Sequence, residues 1–486
     1  MKRPGSRDET VETRQIPEDD FVAERTKLLG SSLSECEFNF NQSVEIQNEL
    51  PQSKKSVYLV QSRESVQRPL LLASVMDSDF QAHLSSISAL ASQGAEFICS
   101  QVANAHRTHD PDIASGGSRD GFESVKGSNV LSFSVAEIGQ IVAQAPTPSQ
   151  VRLDVGDGRK LAEFALATGF TSVLGGSPLG ILDLPVSLAV DSVHNWQYVE
   201  RLVGAYEARN VDVLRAFKTV SESPIVPPSV AISQLVLNSL FAAEQGARHL
   251  LLIVASNLHL CQDVATVRVV KRLAGEYAER YGFNTEIYSG FQIWNGPYPS
   301  NESDVSAILV LGAITAALSG SHVVDVPTNG QIGPLSTLTS RDIIHMTKAS
   351  LVIESMQKYP DSSALHLEES LIEAESRCLL DSLLNAGEGS LPSALESAVK
   401  SENLSIPVPG LVPSSKYAVP IRDNTGAVRF FNTASLPFSQ EIKDFNKECV
   451  AKRVESGSWN YEYEAVLWDT SAGQFLTKSI SELAFN

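Results

Sequence analysis

The residues best suited to chemistry in this chain are two arginines beside β-rich runs. Arg152 lies in Val151-Arg-Leu-Asp-Val155, where apolar and charged residues alternate. Successive side chains of a strand point to opposite faces, so Arg152 and Asp154 share one face and Val151, Leu153 and Val155 the other. Arg107 follows the run Glu96–Val102 by a few residues. A guanidinium at either place offers a planar fork of N–H donors that matches a carboxylate. Two readings of Arg152 stand side by side: it forks onto a substrate acid, or it pairs with Asp154 and each satisfies the other.

Other polar clusters are plainer. His106 and His109 sit with Asp110 and Asp112 in Asn104–Asn129, a long stretch rich in Asp, Gly, Ser and His. These donor types suit a metal ion, but no further ligand completes the local pattern, and a solvated loop is the better reading. Asp191-Ser-Val-His194 reads as a pair on a helix surface. Gly116-Gly117 and Gly175-Gly176 read as turns at strand exits, where missing side chains also let backbone approach a phosphate. No G-x-G-x-x-G at a strand–helix junction, Walker loop, G-x-S-x-G or H-E-x-x-H is present.

The elements that must position the arginines follow a repeating pattern. Strands are expected at Leu70–Val75, Glu96–Val102, Val151–Val155, Thr171–Leu174, Val211–Leu214, Leu250–Ala255, Thr285–Tyr288 and His322–Val326. Helical runs such as Phe80–Ser92, Arg159–Thr168, Val230–Gln245, Val264–Tyr281, Ser303–Leu318 and Arg341–Gln357 lie between or after them. In the stretch from His194 to Ser229 the alternation is tightest. Trp196, Val199, Val203 and Tyr206 mark one buried helical face, Asn210 ends it, a short strand follows, and Val226-Pro-Pro-Ser229 opens the next helix. Eight β/α units make the fold an α/β protein with a (β/α)8 barrel of TIM type, its site at the C-terminal strand ends. A doubly wound open sheet is the structural alternative.

Residues 1–55 read as an N-terminal arm, 56–360 as the barrel, and 361–486 as a C-terminal helical and α+β appendage. In the last part a helix at Ala364–Leu384 precedes a linker near Gly387–Pro392 and the Pro-rich Ile406–Pro413. The formal charge of −19 argues against a nucleic-acid partner and an anionic membrane surface. The first ten residues have no apolar core, and the longest apolar region, Val230–Ala243, is broken by Ser233, Gln234 and Asn238. Neither a signal peptide nor a membrane span is expected. Five scattered cysteines without a C-x-x-C pair fit core thiols in a reducing cytoplasm.

Several segments resemble one family. Trp196-Gln-Tyr-Val-Glu-Arg-Leu-Val-Gly-Ala-Tyr-Glu207, Val226-Pro-Pro-Ser, Ala242-Ala-Glu-Gln-Gly-Ala and Gln262-Asp263 to Arg268 are similar to the large (epsilon) subunit of glutamate mutase, also named methylaspartate mutase. So are Ser415-Lys-Tyr417, Pro420-Ile-Arg-Asp-Asn-Thr-Gly-Ala-Val-Arg429 and Leu436-Pro-Phe-Ser-Gln-Glu-Ile-Lys-Asp-Phe-Asn446. The resemblance implies a (β/α)8 barrel that dimerises and works with a small cobalamin-binding subunit. It implies adenosylcobalamin as the shared cofactor and a radical rearrangement of a carbon skeleton. The ligating D-x-H-x-x-G pattern is absent, as expected of a large subunit.

The resemblance also assigns positions. Of three arginines that hold the dicarboxylate, Arg107 and Arg152 match two; the third falls at Ala73, and Arg68 serves only if the loop shifts. Leu174 stands where the family has a glutamate, and Gly180 and Leu184 where it has tyrosines. Pro327 and Gln331 stand for the lysine and glutamate that touch the adenosyl group, and Val75 for a cobalamin-contacting glycine. Tyr298 retains an aromatic beside the cofactor, and a short region between Val130 and Ile138 is deleted.

These departures turn the expected site from polar to apolar, and glutamate, whose second carboxylate and ammonium need partners, no longer fits. The expectation is a mutase for a small carboxylic or amino acid other than glutamate, with Arg107 and Arg152 for the substrate and Tyr298 and Gln331 for the cofactor. The alternative is a catalytically degenerate barrel kept as a binding or assembly partner. Cobalamin-free chemistry at His106 and His109 is the third reading.

Overall fold

A computed structural model describes residues 15–30, 39–66, 68–101, 133–153, 157–180, 186–221, 223–299, 301–328, 332, 339–354, 362–401, 403–406, 417–457 and 462–470. Three helices come first: α1 (Glu18–Leu29), α2 (Phe40–Glu49) and α3 (Ser56–Val66). Strands and helices then alternate: β1 (Leu70–Val75), α4 (Phe80–Gln93), β2 (Phe97–Ser100), α5 (Val135–Gln144), β3 (Ser149–Arg152), α6 (Arg159–Ala167), β4 (Ser172–Leu174) and α7 (Val186–Glu207). The second half repeats them as β5 (Leu214–Lys218), α8 (Pro228–Glu244), β6 (His249–Ala255), α9 (Leu260–Arg280), β7 (Glu286–Gln292), α10 (Glu302–Ser319), β8 (Val323–Asp325) and α11 (Ser340–Glu354). Beyond them lie α12 (Ser363–Ala386), α13 (Leu391–Ser401), the hairpin β9 (Val419–Arg422) and β10 (Val428–Asn432), α14 (Gln440–Ser456) and α15 (Glu462–Asp469).

The eight strands form a closed parallel barrel in chain order, β1 pairing with β8. The fold is therefore the (β/α)8 barrel and not the open sheet. Strand alternation sorts the side chains. Leu72, Phe97, Cys99, Leu174, Ala216, Leu251, Ile253, Tyr288 and Val323 form an inner cluster. Their neighbours Leu71, Ile98, Val151, Val173, Phe217, Leu252, Phe291 and Val324 join the helices in the continuous outer core.

Helix α3 closes the bottom, the end where the strands begin. Val57 and Val60 belong to the inner cluster, the Ser56 and Thr171 hydroxyls meet at 2.7 Å, and Gln61 donates to Tyr288 Oη at 3.2 Å. The opposite, C-terminal end is the mouth.

Several elements depart from the sequence expectation; the third strand begins at Ser149 rather than Val151. The fifth strand is Leu214–Lys218 rather than Val211–Leu214. Arg215 and Lys218 look like strand terminators, but each has an opposite charge waiting: Glu200 outside the sheet and Asp325 inside the barrel. The seventh strand runs on through Ser289 and Gly290 to Gln292; Gly290 fits there because a Cβ would crowd Ile253. Helix α10, rather than the Val230–Ala243 region, is long and apolar enough to cross a membrane. It occupies the barrel's ring after β7 and has Val305, Leu309, Ala313 and Ala316 in the core.

The C-terminal hairpin docks on α9 and α12. Gln262 of α9 accepts from Val428 N at 2.7 Å and donates to Val428 O at 3.1 Å, as a strand neighbour would. Arg429 on β10 meets Glu368 of α12 and Asp423.

Candidate functional site at the barrel mouth

Arg152 is the last residue of β3, and its position lies on the barrel's inner face, between the outer-core residues Val151 and Leu153. The expected inward direction holds. It stands in register with Leu174 of β4, which stands in register with Ala216 of β5. Leu174 is buried in the inner cluster, so an apolar wall lies directly beside the guanidinium's strand position. Arg152 is half-buried. Arg107, Asp154, Leu184, Gln331, His106 and His109 lie outside the described residues.

One inward step beyond Ala216 is Lys218, the end of β5. Its Nζ lies 2.7 Å from Asp325 Oδ2 at the end of β8. Strands β5 and β8 are not neighbours in the barrel, so this ion pair spans the lumen. Asp325 is 2% exposed and stands between Leu72 and Gln292 in register. Sequence reasoning missed both residues. The sequence carried no signal that separates them from ordinary strand ends, because a charge beside apolar residues reads as the end of an element.

A buried amide sits one inward step below Arg152. Gln150 donates through Nε2 to Ser172 Oγ at 2.8 Å, and Ser172 donates onward to Leu214 O at 2.8 Å. Gln150 Oε1 is buried and makes no hydrogen bond.

The rim is built from βα loops. Tyr298 lies in the loop after β7, where its Oη donates to Trp294 O at 2.7 Å while Trp294 Nε1 donates to Pro297 O at 2.8 Å. Burial pushes the Tyr298 phenol far up, so it stays neutral and packs by its ring. Pro327 follows β8 and is buried; its ring has no donor. Val75 closes β1 with its side chain in the outer core, as does Ala73. Gly180 ends a short 3₁₀ turn after β4. Ser134 and Glu137 form a capping box at the start of α5, inside the region expected to be shortened.

One side-chain expectation fails. Arg68 precedes β1 at the bottom and grips Glu96 at 2.7 and 2.6 Å. A strand of that length separates it from the mouth by roughly 20 Å, which no loop shift spans. His194 faces Glu24 of α1, at 3.3 Å, on the chain's outer surface. The glycine pair Gly175-Gly176, with φ of 76° and 63°, points its carbonyls at Arg215, 2.8 and 2.7 Å away, and so serves as a turn.

The profile of the family described as Methylaspartate mutase E chain (MutE) matches residues 50–478. The chain is 28% identical to the glutamate mutase epsilon subunit of Treponema denticola over 94% of this chain and 96% of that one. It is 29% identical to the subunit of the same name from Desulfitobacterium hafniense, over 94% and 96%. With that from Escherichia coli O157:H7 the identity is 27%, over 95% and 98%.

Proposed function

The chain belongs to the methylaspartate mutase E chain family, and on that premise we propose that it is the large subunit of an adenosylcobalamin-dependent carbon-skeleton mutase for a small carboxylic or amino acid other than glutamate. The observation that carries this reading is Arg152 in register with Leu174 at the lumen's upper end. The guanidinium fixes one carboxylate in bidentate fashion, and Leu174 offers no polar partner where the resemblance places a glutamate.

The fit to the cofactor is partial. The lumen is closed below by α3 and the inner cluster, which suits a group whose reactive end must be kept from water. The Tyr298 ring, locked by its bond to Trp294 O, supplies a fixed aromatic on the rim. The Pro327 side chain offers no hydrogen bond to an adenosyl group, so any polar side-chain contact there falls to Gln331. When bound, adenosylcobalamin supplies the radical that starts the rearrangement. This chain's own contribution is to anchor the acid at Arg152 and Arg107, to hold its remainder against Leu174, and to exclude water. The partner on this reading is a small cobalamin-binding subunit, with two large subunits pairing in the assembly and the whole residing in the cytoplasm.

Purified with its small subunit and adenosylcobalamin, the complex is expected to show the cobalamin absorption spectrum and to bleach that spectrum on addition of the true acid. Absence of cobalamin from the complex overturns the reading. A second reading, a binding or assembly barrel without catalysis, is favoured by Pro327 and Leu174 at positions where the resemblance places a lysine and a glutamate. It predicts that Arg107→Ala and Arg152→Ala leave product formation in the host unchanged.

A further inference from the structure

Among the described residues, the lumen contains a cation besides Arg152, and a buried acceptor without a donor. Lys218 reaches across from β5 to Asp325 on β8 at 2.7 Å. An ion pair withdrawn from water rarely stabilises a fold more than apolar side chains of the same volume. Nothing in the barrel's packing calls for one, because the layers below are filled by Leu72, Leu251 and Val323. The ammonium carries three donors, and the pair stands at the same end of the lumen as Arg152, one inward step further along the neighbouring-but-one strand.

Gln150 lies on the same inner face, about 7 Å below Arg152 along β3. Its amide cannot be turned over without loss: Nε2 is held by Ser172 Oγ, whose own proton goes to Leu214 O. Oε1 is therefore fixed as a buried acceptor with no partner. Such an atom costs free energy unless something donates to it. A ligand carrying an O–H or N–H group beside its carboxylate supplies that donor.

We propose that Lys218, held in place by Asp325, is a further carboxylate-binding cation of the lumen, and that the site takes a small monocarboxylate bearing one hydrogen-bond donor, hydroxyl or ammonium, on an otherwise apolar frame. The carboxylate lies between Arg152 and Lys218, the donor meets Gln150 Oε1, and the apolar frame lies against Leu174. This deepens the proposed function, whose substrate it places in the same lumen, but it concerns binding by this chain alone.

Isothermal titration of the full chain, without small subunit or cobalamin, with isovalerate, 2-hydroxyisovalerate, valine and glutamate tests it. The wild type is expected to bind 2-hydroxyisovalerate or valine at least tenfold more tightly than isovalerate, and glutamate more weakly than the better of the two. Whichever wins identifies the donor. Lys218→Met is expected to weaken all of these acids tenfold or more, with Lys218→Arg restoring part of the loss. Gln150→Leu is expected to bring the donor-bearing acids down to the level of isovalerate while leaving isovalerate unchanged. Equal affinities in wild type and Lys218→Met, no donor preference in the wild type, or no binding of any acid at millimolar concentration overturns the proposal. If Lys218→Met does not fold, Lys218→Arg and Gln150→Leu decide the matter, and wild-type affinities in both overturn it. Failure of the cobalamin experiment leaves these affinities as they are, so the two proposals fall separately.

Discussion

Arg215 and Glu200 form a guanidinium–carboxylate pair at 2.7 Å in which neither side chain is more than 1% exposed. The pair ties β5 to α7, and the same guanidinium donates to the carbonyls of Gly175 and Gly176 and lies over the Phe217 ring at 4.0 Å. It is therefore the pin that shapes the loop leaving β4, just beyond Leu174. Burial pushes the Glu200 carboxyl up, against the pull of Arg215. Removing one partner leaves the other charge buried and alone. Arg215→Met is expected to cost about 3–5 kcal/mol, measured by urea unfolding. Glu200 and Arg215 replaced together by apolar residues should cost much less than the sum of the two singles. A double mutant whose loss equals that sum would show that the pair does not act as a unit.

Gly176 is fixed by a different constraint. Its φ of 63° lies in the left-handed region, and a Cβ would overlap the six-membered ring of Trp196, which also excludes one at Gly158. Trp196 is fully buried, so it cannot swing outward. Gly176→Ala is expected to destabilise by about 2–4 kcal/mol from backbone strain and overpacking together. Its tryptophan fluorescence should shift, reporting a displaced indole. A melting temperature within a degree of wild type would mean that the loop after β4 yields freely.

These two cases show what was legible in the sequence and what was not. The face made by Trp196, Val199, Val203 and Tyr206 could be read because helical periodicity records burial directly. The barrel followed from the alternation of eight such units. Lys218, Asp325 and the fifth strand's true span could not be read. A charge in an apolar run looks like the end of an element unless its partner is known, and the partners here lie 15 residues away in Glu200 and on the far side of the barrel in Asp325. Arg68 misled for a related reason: proximity in sequence to β1 says nothing about which end of the barrel a side chain occupies.

Asp263, in the first turn of α9, is wholly buried. It accepts from Ser256 Oγ at 2.9 Å and from Asn257 N at 3.0 Å. Asn257 in turn bonds Val226 through its side chain, joining the loops after β5 and β6. Burial pushes the Asp263 carboxyl up to about 7, whereas an unfolded aspartate titrates near ~3.9. The folded state therefore binds the proton more tightly, and its contribution to stability is full below about pH 4 and lost as pH rises through about 7. Asp263→Asn should remove that fall while leaving contributions from other groups. The difference in unfolding free energy between wild type and Asp263→Asn, followed from pH 5 to 8, is the measurement. A difference that stays constant across that range would place the folded-state pKa below it.

Arg429 decides how firmly the C-terminal hairpin holds to the barrel. Its guanidinium meets Glu368 of α12 and, at 2.9 Å through Nε, Asp423 at the turn of the hairpin, and all three side chains are less than a tenth exposed. Burial works against the charge on Arg429, but the two carboxylates outweigh it and raise its pKa. Arg429→Met leaves two carboxylates facing each other in an apolar setting, so they must either take up a proton or draw in water. The expected cost is about 3–5 kcal/mol. It should fall on the docking of β9 and β10 more than on the barrel, because Gln262 is the main remaining polar link between α9 and β10. Hydrogen exchange distinguishes the two: amides of Val428 and Phe430 should exchange many-fold faster in the variant, while those of β6 and β7 keep their protection. Uniform acceleration across both regions would mean that hairpin and barrel unfold as one cooperative unit.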